Sequence, residues 1–431
     1  MIGPEASQSL GKSPQDWGVI KRVSLNTAWL TAARLGSQFL LLLFTILVAR
    51  RMGETGLGGY AYMGAVIFIG NVFSTFGTDM LLMREVAARR DFSLLSPAAI
   101  LQLAMSAFFV GLVLFFFPLL PGQGPQFIAA VKLYSLALFP LAIYTICSAV
   151  LRGMEFMQPY MWLNLLLAGL QASLAWWLIR PDSSFLDLSW ILLTVQLVVA
   201  LLAVGYCRLR IPGFSLIRRF SYSSVSNLFL ASAPLAIVAI VKILYQKITL
   251  ILLSHLQGIS DTGWFSAAMR TVEASQFVHI ALLGALFPIM SFAFLSGSQV
   301  SRENRKALAA SWWFLLAVGI SAAVLLFFFS TPLISLVFGE EFTPSILALR
   351  ILAWLMIPFS INIFLSALLI SARQERLVLT IFLASLVILV MLDLLLIPAF
   401  GLVGACIAAL VSESIQAVIF IYTRSILQRT R

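Results

Sequence analysis

Twelve long apolar segments constrain this chain more than any other feature of its sequence. A transmembrane helix needs about 20 mostly apolar residues, and each of the twelve segments approaches or exceeds that length. Apolar residues make up 61% and charged residues 10% of the 431 positions, whereas a soluble chain has roughly 25% charged residues. Barrel strands would be about ten residues long with alternating polarity, so we predict an all-α polytopic membrane protein. The predicted spans are Ser24–Val48, Tyr60–Met83, Leu95–Leu120, Phe127–Leu151, Tyr160–Ile179, Leu188–Tyr206, Leu228–Ser254, Trp264–Leu295, Leu308–Phe329, Ile346–Ile370, Leu377–Ile397 and Leu402–Tyr422.

The basic residues outside these spans are distributed unequally between the two sides of the membrane. Lys and Arg total 28 against 17 Asp and Glu, which gives a formal net charge of +11. The side that carries both termini holds 19 of these cations, and the opposite side holds only Arg50, Arg51 and Arg180. Because basic loops remain in the cytoplasm, both termini are predicted to be cytoplasmic. The same asymmetry accounts for most of the net charge, which therefore does not indicate a nucleic-acid partner.

The two halves of the chain resemble each other. A shift of 218 residues lays 128–152 on 346–370 with seven identities in 25 positions. A weaker block places Gly59–Tyr60 on Gly263–Trp264 with a shift of 204. Parallel repeats in transporters place the substrate site between the halves. We therefore predict two six-helix lobes related by a parallel repeat, with a cytoplasmic tail at 1–23, spans 1–6 at 24–207, an amphipathic cytoplasmic linker at 208–227, spans 7–12 at 228–422 and a cytoplasmic tail at 423–431.

Six cations fall inside the predicted spans, where a charge normally faces a cavity or a partner. Lys132 and Arg350 are close enough to the external ends of their helices to snorkel outward. The other four are candidates for an anion site that lines a central cavity at successive depths. Alternatively, each of them pairs with a buried acid. These four are Arg34, Lys242, Lys247 and Arg270.

Acids and a histidine inside the spans are candidate charge or coupling partners. Glu273 follows Arg270 by three residues, so the two share a helix face and partly neutralise each other. Asp79, near the end of the second span, either takes part in coupling or only caps the helix. His279 is either a proton relay or a buried polar residue with ordinary hydrogen bonds. The two remaining acids lie in the last two spans and are assigned a structural role: Asp393 and Glu413.

Prolines inside the spans are candidate hinges, because proline interrupts the helical hydrogen-bond ladder. The chain has no metalloprotease, serine-hydrolase or nucleotide-binding motif. We therefore predict a protein that is not an enzyme and has no cofactor or metal site. Coupling energy, if used, would come from a proton gradient, a sodium gradient or the membrane potential. The four candidate hinges are Pro140, Pro234, Pro288 and Pro358.

Short motifs in the first 90 residues match a known family. They are Asn26–Thr27 and Arg34 in the first span, the run Val48–Gly53 (Val-Ala-Arg-Arg-Met-Gly), Gly58–Ala61 (Gly-Gly-Tyr-Ala), and Phe76–Asp79 (Phe-Gly-Thr-Asp) ahead of Arg84–Glu85. With these motifs, twelve spans and a six-plus-six repeat, the chain resembles the polysaccharide or oligosaccharide-lipid flippases. These belong to the multidrug/oligosaccharidyl-lipid/polysaccharide exporter superfamily.

The resemblance implies two lobes in a V around a central cavity, and transport by alternating access. It implies a polyprenyl-pyrophosphate-linked sugar unit as substrate, an inner-membrane location, and polysaccharide polymerase and chain-length machinery as partners besides membrane lipids. Related lipid II flippases use arginines on the first and eighth spans, which hold Arg34 and Arg270 here. Those flippases have two further C-terminal spans, so a twelve-span chain favours an O-antigen, capsule or exopolysaccharide unit. The residues that could contact sugars, or could equally hydrogen-bond between helices, are Gln38, Asn71, Tyr144 and Asn362.

Three other classes of function remain open from the sequence: an exporter, a membrane enzyme and a scaffold. A multidrug-extrusion-type exporter of organic cations would share the fold, but its cavity should be dominated by acids. A membrane-embedded polysaccharide polymerase should carry large external loops, and an acyltransferase should carry an embedded histidine with polar partners. A membrane scaffold operated by a ligand is the remaining alternative.

Overall fold

Every regular element of the computed structural model is a helix. The structure describes residues 14–119, 124–216, 222–279, 302–372 and 374–429, and no β-strand occurs within these ranges. Short 3-10 turns at Phe117–Leu119 and Glu340–Phe342 supplement the α-helices. In chain order the α-helices are α1 Pro14–Thr75, α2 Thr78–Arg89, α3 Leu95–Phe116, α4 Pro125–Ser135, α5 Leu138–Gly153, α6 Met157–Leu178, α7 Phe185–Arg210, α8 Tyr222–Leu256, α9 Ile259–Ser275, α10 Arg302–Phe328, α11 Ser330–Val337, α12 Thr343–Ala353, α13 Met356–Ser371 and α14 Glu375–Arg429.

Helix α1 contains two antiparallel arms that turn at a glycine. Gly53 has φ 67° and ψ −166°, a backbone conformation outside the helical region that glycine adopts without steric cost. The rings of Phe44 and Tyr60 are 5.0 Å apart, although 16 residues of straight helix would separate them by about 24 Å. The first two spans are therefore joined by a one-residue turn, and the longer loop predicted between Val48 and Tyr60 is wrong.

Helix α14 folds back in the same way. Gly401 has φ 57° and ψ −131°. The hydroxyl of Ser412 donates to the carbonyl oxygen of Ser385 at 3.3 Å, whereas 27 residues of straight helix would span about 40 Å. The predicted spans 11 and 12 therefore form a hairpin that turns at Gly401.

The predicted count of twelve spans agrees with these two hairpins. Eight described helical segments are long and apolar enough to cross a membrane, and a bent pair, Glu340–Ala353 with Met356–Ser371, makes a ninth. Two of the eight are the hairpins α1 and α14, which raises the number to eleven. Helix α9, of 17 residues, occupies the first part of the predicted eighth span, and the remainder of that span lies largely outside the described ranges. The all-α, twelve-span fold class is confirmed.

The internal repeat is visible in the bounds of the helices. A shift of 218 residues lays α4 on α12 and α5 on α13, with both ends of each helix coinciding. Pro140 and Pro358 are each the third residue after the break between the two helices. Proline is tolerated in the first turn because the amide there has no partner within the helix. The C-terminal pair is bent by 47°.

The second span ends earlier than the predicted Met83. Helix α1 ends at Thr75, and the next two residues, Phe76 and Gly77, have φ of 46° and 70°. A Cβ atom on Gly77 would lie 2.9 Å from Cβ of Leu235, so a close approach to α8 accompanies this break. Phe76 stacks on Phe229, which also lies on α8, with ring centroids 4.6 Å apart.

Other predicted hinges and boundaries are only partly described. Helix α8 continues through Pro234, whereas Pro288 lies outside the described residues. The C-terminal part of the predicted eighth span and residues 217–221 of the predicted linker also lie outside them. The lobe boundaries and the hinge roles of the prolines therefore stay predictions.

Candidate functional site

The two halves of the chain touch closely at the far end of the bundle, by which we mean the end opposite the chain termini. A Cβ atom on Gly58 would lie 1.9 Å from the carbonyl oxygen of Ile259, and one on Gly263 would lie 1.9 Å from that of Glu54. Small residues permit this backbone approach between membrane helices. The second arm of α1 and helix α9 therefore close the far end through their backbones.

Side chains add to this closure. The hydroxyl of Tyr62 and Nε2 of His255 are 2.9 Å apart, joining α1 to the end of α8. Arg50 donates from Nε to the carbonyl oxygen of Val337 at 2.9 Å and also donates to the carbonyl oxygen of Leu336. A cation at these carbonyls complements the negative end of α11. The far end is thus held by hydrogen bonds between the halves as well as by packing.

Two of the predicted cavity cations meet around one carboxylate. The ammonium of Lys247 lies 3.8 Å from Oε1 of Glu273, and Nη1 of Arg270 lies 3.2 Å from Oε2. The side chains are largely buried, with exposed fractions of 18% for Lys247, 21% for Arg270 and 33% for Glu273. The predicted i,i+3 pairing of Arg270 with Glu273 is present. The cluster of Lys247, Arg270 and Glu273, called the cation cluster below, carries a formal charge of +1.

The cation cluster lies below the closed far end and faces the other half. Arg270 follows Gly263 by seven residues, so the two share a helix face and are about 10 Å apart along the axis. The ammonium of Lys247 lies 5.7 Å from the ring centroid of Phe68 on the second arm of α1. Membrane charges that face a neighbouring lobe in this way typically mark a substrate path.

Arg34 lies much closer to the opposite end. It precedes Gly53 by 19 residues, which places it about 28 Å from that turn along the first arm of α1. Its side chain is exposed and makes no ion pair among the described residues. Thr45, on the same helix face, is fully buried. This face is therefore covered near the far end and open near the termini.

The exposed face of Arg34 differs from the apolar surface of the same arm. Leu35 and Phe39 are 49% and 60% exposed and form an apolar stripe. Arg34 and Gln38 are also exposed, but they point about 100° or more away from Phe39. The polar stripe therefore suits a wet cleft, and the apolar stripe suits lipid.

Lys242 does not join the cation cluster. Its ammonium lies 5.2 Å from the ring centroid of Phe382 on the first arm of α14. Because Lys242 and Lys247 are five residues apart, their side chains point about 140° apart around α8. The four predicted cations thus separate into the pair Lys247 and Arg270, Lys242 inside the C-terminal half, and Arg34 near the open end.

Asp393 and Glu413, the two acids to which the sequence assigned a structural role, form a polar region inside the C-terminal half. The hydroxyl of Thr249 donates to Oδ2 of the fully buried Asp393 at 2.8 Å. Glu413 accepts from the hydroxyl of Tyr245 at 2.7 Å and from the amide of Asn362 at 2.9 Å. Neither acid has a cation within ion-pair distance among the described residues. We call these five side chains the acid cluster.

The acid cluster could not be assembled from the sequence because its members lie on four separated segments. Only one local signal was available: Tyr245 and Thr249 are four residues apart and therefore share a face of α8. Of the two roles that the sequence left open for Asn362, sugar contact or a hydrogen bond between helices, the structure shows the hydrogen bond, to Glu413.

The remaining candidate residues lie away from the cation cluster. Asp79 is in the first turn of α2 and pairs with Arg152 at 3.8 Å. His279 is buried, and its Nε2 lies 2.8 Å from the hydroxyl of Ser360 and 3.2 Å from the carbonyl oxygen of Leu315. It thereby connects three segments of the C-terminal half.

The other cations and polar residues are also placed. Arg350 is exposed, and its Nε donates to the hydroxyl of Ser330 at 3.0 Å, while Lys132 is half-buried in α4. Buried oxygens of Asn71 and Tyr144 lack a hydrogen-bond partner among the described residues.

The two halves thus meet closely at the far end, and the cation cluster lies near that contact. The fold is similar to an inward-facing multidrug resistance MATE family transporter of the MOP superfamily, with a TM-score of 0.73, 15% identity, and coverage of 91% of this chain and 95% of that one. It is also similar to the lipid II flippase MurJ in an inward closed conformation, with a TM-score of 0.71, 14% identity, and coverage of 91% and 86%. The chain therefore shares the fold of these two membrane proteins.

The family follows from the sequence comparison. The family model described as polysaccharide biosynthesis protein matches residues 23–294, more than half of the chain, so the chain belongs to that family. The MatE model matches residues 234–395. A probable low-salt glycan biosynthesis flippase, Agl15 of Haloferax volcanii, is 24% identical over 203 residues. That match covers 47% of this chain and 43% of the relative, so the chain spans less than half of the relative's length in this comparison.

A further solved structure shares the fold. An outward-facing MATE family transporter gives a TM-score of 0.63 at 15% identity, with 95% of both chains covered. The inward-facing one gives 0.73.

Proposed function

We propose that this protein flips a polyprenyl-pyrophosphate-linked oligosaccharide repeat unit from the cytoplasmic to the external leaflet. The unit would be an O-antigen, capsule or exopolysaccharide precursor, and the movement would occur by alternating access. The single observation that carries the proposal is the pair of cations, Lys247 and Arg270, which lie near the closed far end and face the N-terminal half. Membership of the polysaccharide biosynthesis family and the similarity to flippases support it.

The physical problem in such transport is the headgroup. A pyrophosphate loses its hydration when it enters a region of low dielectric constant, and this loss must be offset by local charges and hydrogen bonds. Arginine and lysine form strong charge-assisted hydrogen bonds with phosphate oxygens. Arg34 near the open end would attract the headgroup, and the cation cluster would hold it about 10 Å or more deeper. The polyprenyl chain would stay in lipid between the lobes.

The acid cluster is our candidate for the coupling site. A buried carboxylate with only neutral hydrogen-bond partners is costly in its charged form. Asp393 and Glu413 would therefore bind a proton or a sodium ion and release it when the C-terminal half changes conformation. The membrane potential could act on the same charges.

A second candidate function is export of organic cations, as in multidrug transporters. The acid cluster and the match of residues 234–395 to the MatE model favour it. Against it, the acid cluster lies inside one lobe, whereas the cation cluster faces the cleft. An anionic substrate suits the charge of that cleft better than a cationic one.

Genetic complementation tests the proposed function. The chain would be expressed in a bacterium that lacks its repeat-unit flippase, with both termini in the cytoplasm as the loop charges predict. Surface polysaccharide should return for at least one glycan type, and the polymerase and chain-length machinery would then receive the flipped units. Normal membrane expression without surface glycan in several glycan backgrounds would contradict the proposal. New glycosidic bonds formed by the purified protein would favour a polymerase instead.

A further inference from the structure

Glu273 occupies an unusual position between the two cations of the cation cluster. Each of its carboxylate oxygens faces a different cation, Oε2 facing Arg270 at 3.2 Å and Oε1 facing Lys247 at 3.8 Å. A phosphate group also presents two oxygens on one central atom. The carboxylate therefore fills the place that a phosphate of the substrate would take between the same two side chains.

No other described acid pairs with these cations. Asp79 is paired with Arg152, and Asp393 and Glu413 hydrogen-bond within the C-terminal half. Glu273 is also the most exposed member of the cation cluster, at 33%. It can therefore turn away from the cations by rotation of its own side chain, without movement of a helix.

We propose that Glu273 is an exchangeable counter-ion that selects for doubly charged headgroups. This proposal rests on the proposed function and specifies the substrate's headgroup. In the empty cleft Glu273 holds the two cations together and offsets their repulsion. Substrate binding replaces the carboxylate with phosphate oxygens, and Glu273 returns when the substrate leaves.

The selectivity follows from the balance of charge. Lys247 and Arg270 carry two positive charges, and Glu273 supplies one negative charge. A headgroup with a single negative charge, such as the phosphodiester of an ordinary anionic phospholipid, would exchange one monoanion for another with little gain. A pyrophosphate carries at least two charges and neutralises both cations, so it displaces the carboxylate with a net electrostatic gain.

The exchange of Glu273 for the substrate headgroup also lowers the apparent affinity of the site for pyrophosphate. A transport site must bind its substrate well enough to admit it and weakly enough to release it. Competition from an attached carboxylate lowers the apparent affinity for pyrophosphate without removing any contact to it. Glu273 therefore favours release as well as selection, and it is a specificity-determining residue that does not need to touch the substrate.

Binding to the purified full-length protein in lipid nanodiscs tests the proposal. The probes are inorganic pyrophosphate and, as a monoanionic phosphodiester, dimethyl phosphate. Glu273→Gln keeps the shape of the side chain and removes its charge. We expect this variant to bind pyrophosphate about tenfold more tightly, and to bind dimethyl phosphate measurably where the native protein does not. Unchanged or weaker pyrophosphate binding by a folded variant would overturn the proposal.

Further variants separate this proposal from the proposed function and guard against misfolding. Arg270→Ala should abolish pyrophosphate binding. If it does, and Glu273→Gln changes nothing, only the counter-ion proposal fails. If Arg270→Ala binds as well as the native protein, the proposed function itself fails. If Glu273→Gln does not fold, Glu273→Asp withdraws the charge by one methylene and should tighten binding about threefold. Absence of tightening in that variant would equally overturn the counter-ion proposal.

Discussion

The N-terminal and C-terminal halves share a backbone plan but differ in the chemistry of their interiors. In the N-terminal half a neutral chain of hydrogen bonds runs from Thr145 through Gln102 to Thr78, with distances of 2.9 and 2.8 Å. In the C-terminal half the corresponding interior contains the carboxylates of Asp393 and Glu413. This hydrogen-bond chain of the N-terminal half is therefore neutral, whereas the acid cluster of the C-terminal half contains groups that can gain or lose charge.

One pair of equivalent positions shows how the difference arises. The 218-residue shift that superimposes the helix bounds lays Tyr144 on Asn362. Asn362 donates to Glu413, whereas the hydroxyl of Tyr144 has no hydrogen-bond partner among the described residues. The repeat thus fixes where a polar side chain points, and single substitutions decide whether that position serves a titratable site. We infer that coupling belongs to the C-terminal half.

The largest expected effect tests whether the cleft charge of the C-terminal half is indispensable. Arg270→Ala should lower transport of lipid-linked glycan about 100-fold, because it leaves Glu273 beside a single cation and removes a charge-assisted bond to phosphate. Initial rates of transport in membrane vesicles provide the measurement. Lys132→Ala, a cation of the N-terminal half outside the cleft, is the matched control and should retain near-native transport. Equal losses in both variants would remove the distinction between the halves.

The next effect concerns the contact between the halves. Gly263→Val places a Cβ atom 1.9 Å from the carbonyl oxygen of Glu54, and overpacking of this kind costs about 2 kcal/mol. The ratio of far-end-closed to far-end-open molecules should fall by about 30-fold. Labelling of a cysteine introduced at Ser266 with a membrane-impermeant maleimide reports the opening. Gly111→Val is the control, because a Cβ atom there meets nothing within 4 Å. Unchanged labelling in Gly263→Val would show that this contact does not close the far end.

A third effect compares the two polar interiors directly. Asp393→Asn should reduce stimulation of transport by an imposed proton or sodium gradient about tenfold, because the amide cannot take up either ion by charge. Gln102→Ala breaks the neutral chain of the N-terminal half and serves as the control. It should lower thermal stability but leave the ratio of driven to undriven transport unchanged. Loss of gradient dependence in Gln102→Ala, and not in Asp393→Asn, would reverse the assignment of coupling to the halves.

The smallest expected effect lies at the open end of the cleft. Arg34→Ala should raise the apparent KM for lipid-linked glycan about threefold and leave kcat near its native value, because an exposed charge attracts the headgroup without holding it at the closed end. Saturation curves at two salt concentrations provide the measurement, and the difference should shrink at the higher one. A loss in kcat comparable to that of Arg270→Ala would place Arg34 in the holding site instead.

Much of the fold could be predicted because the lengths of the apolar segments match the thickness of a membrane and because the internal repeat can be detected in the sequence. The apolar segments gave the number of spans, and the match of 128–152 to 346–370 anticipated the coinciding helix bounds. The predicted spans break around Gly53 and Gly401, but the one-residue turn at Gly53 could not be predicted, since a glycine carries no local sign that its φ becomes positive. The break after Thr75 was missed for the same reason.

The sequence identified the residues of the cation cluster, but it did not predict which of the four candidate cations come together. The i,i+3 spacing of Arg270 and Glu273 was sufficient to predict their pairing, because it depends on one helix alone. The spacing of Lys242 and Lys247 showed that they need not share a face, but tertiary packing decided which of them meets Glu273. The acid cluster depends on contacts between distant helices, which no local pattern encodes.

Reconstitution into liposomes gives the sharpest test of the proposed transport. The purified native protein would be incorporated into vesicles that contain a polyprenyl-pyrophosphate-linked oligosaccharide, and the fraction of glycan accessible from outside would be followed over time. We predict movement of this lipid between leaflets far above that in protein-free vesicles, with no acceleration for phosphatidylglycerol. Glycan-lipid movement no faster than in protein-free vesicles, in a preparation that instead transports an organic cation, would contradict the assignment of this transporter to lipid-linked glycans.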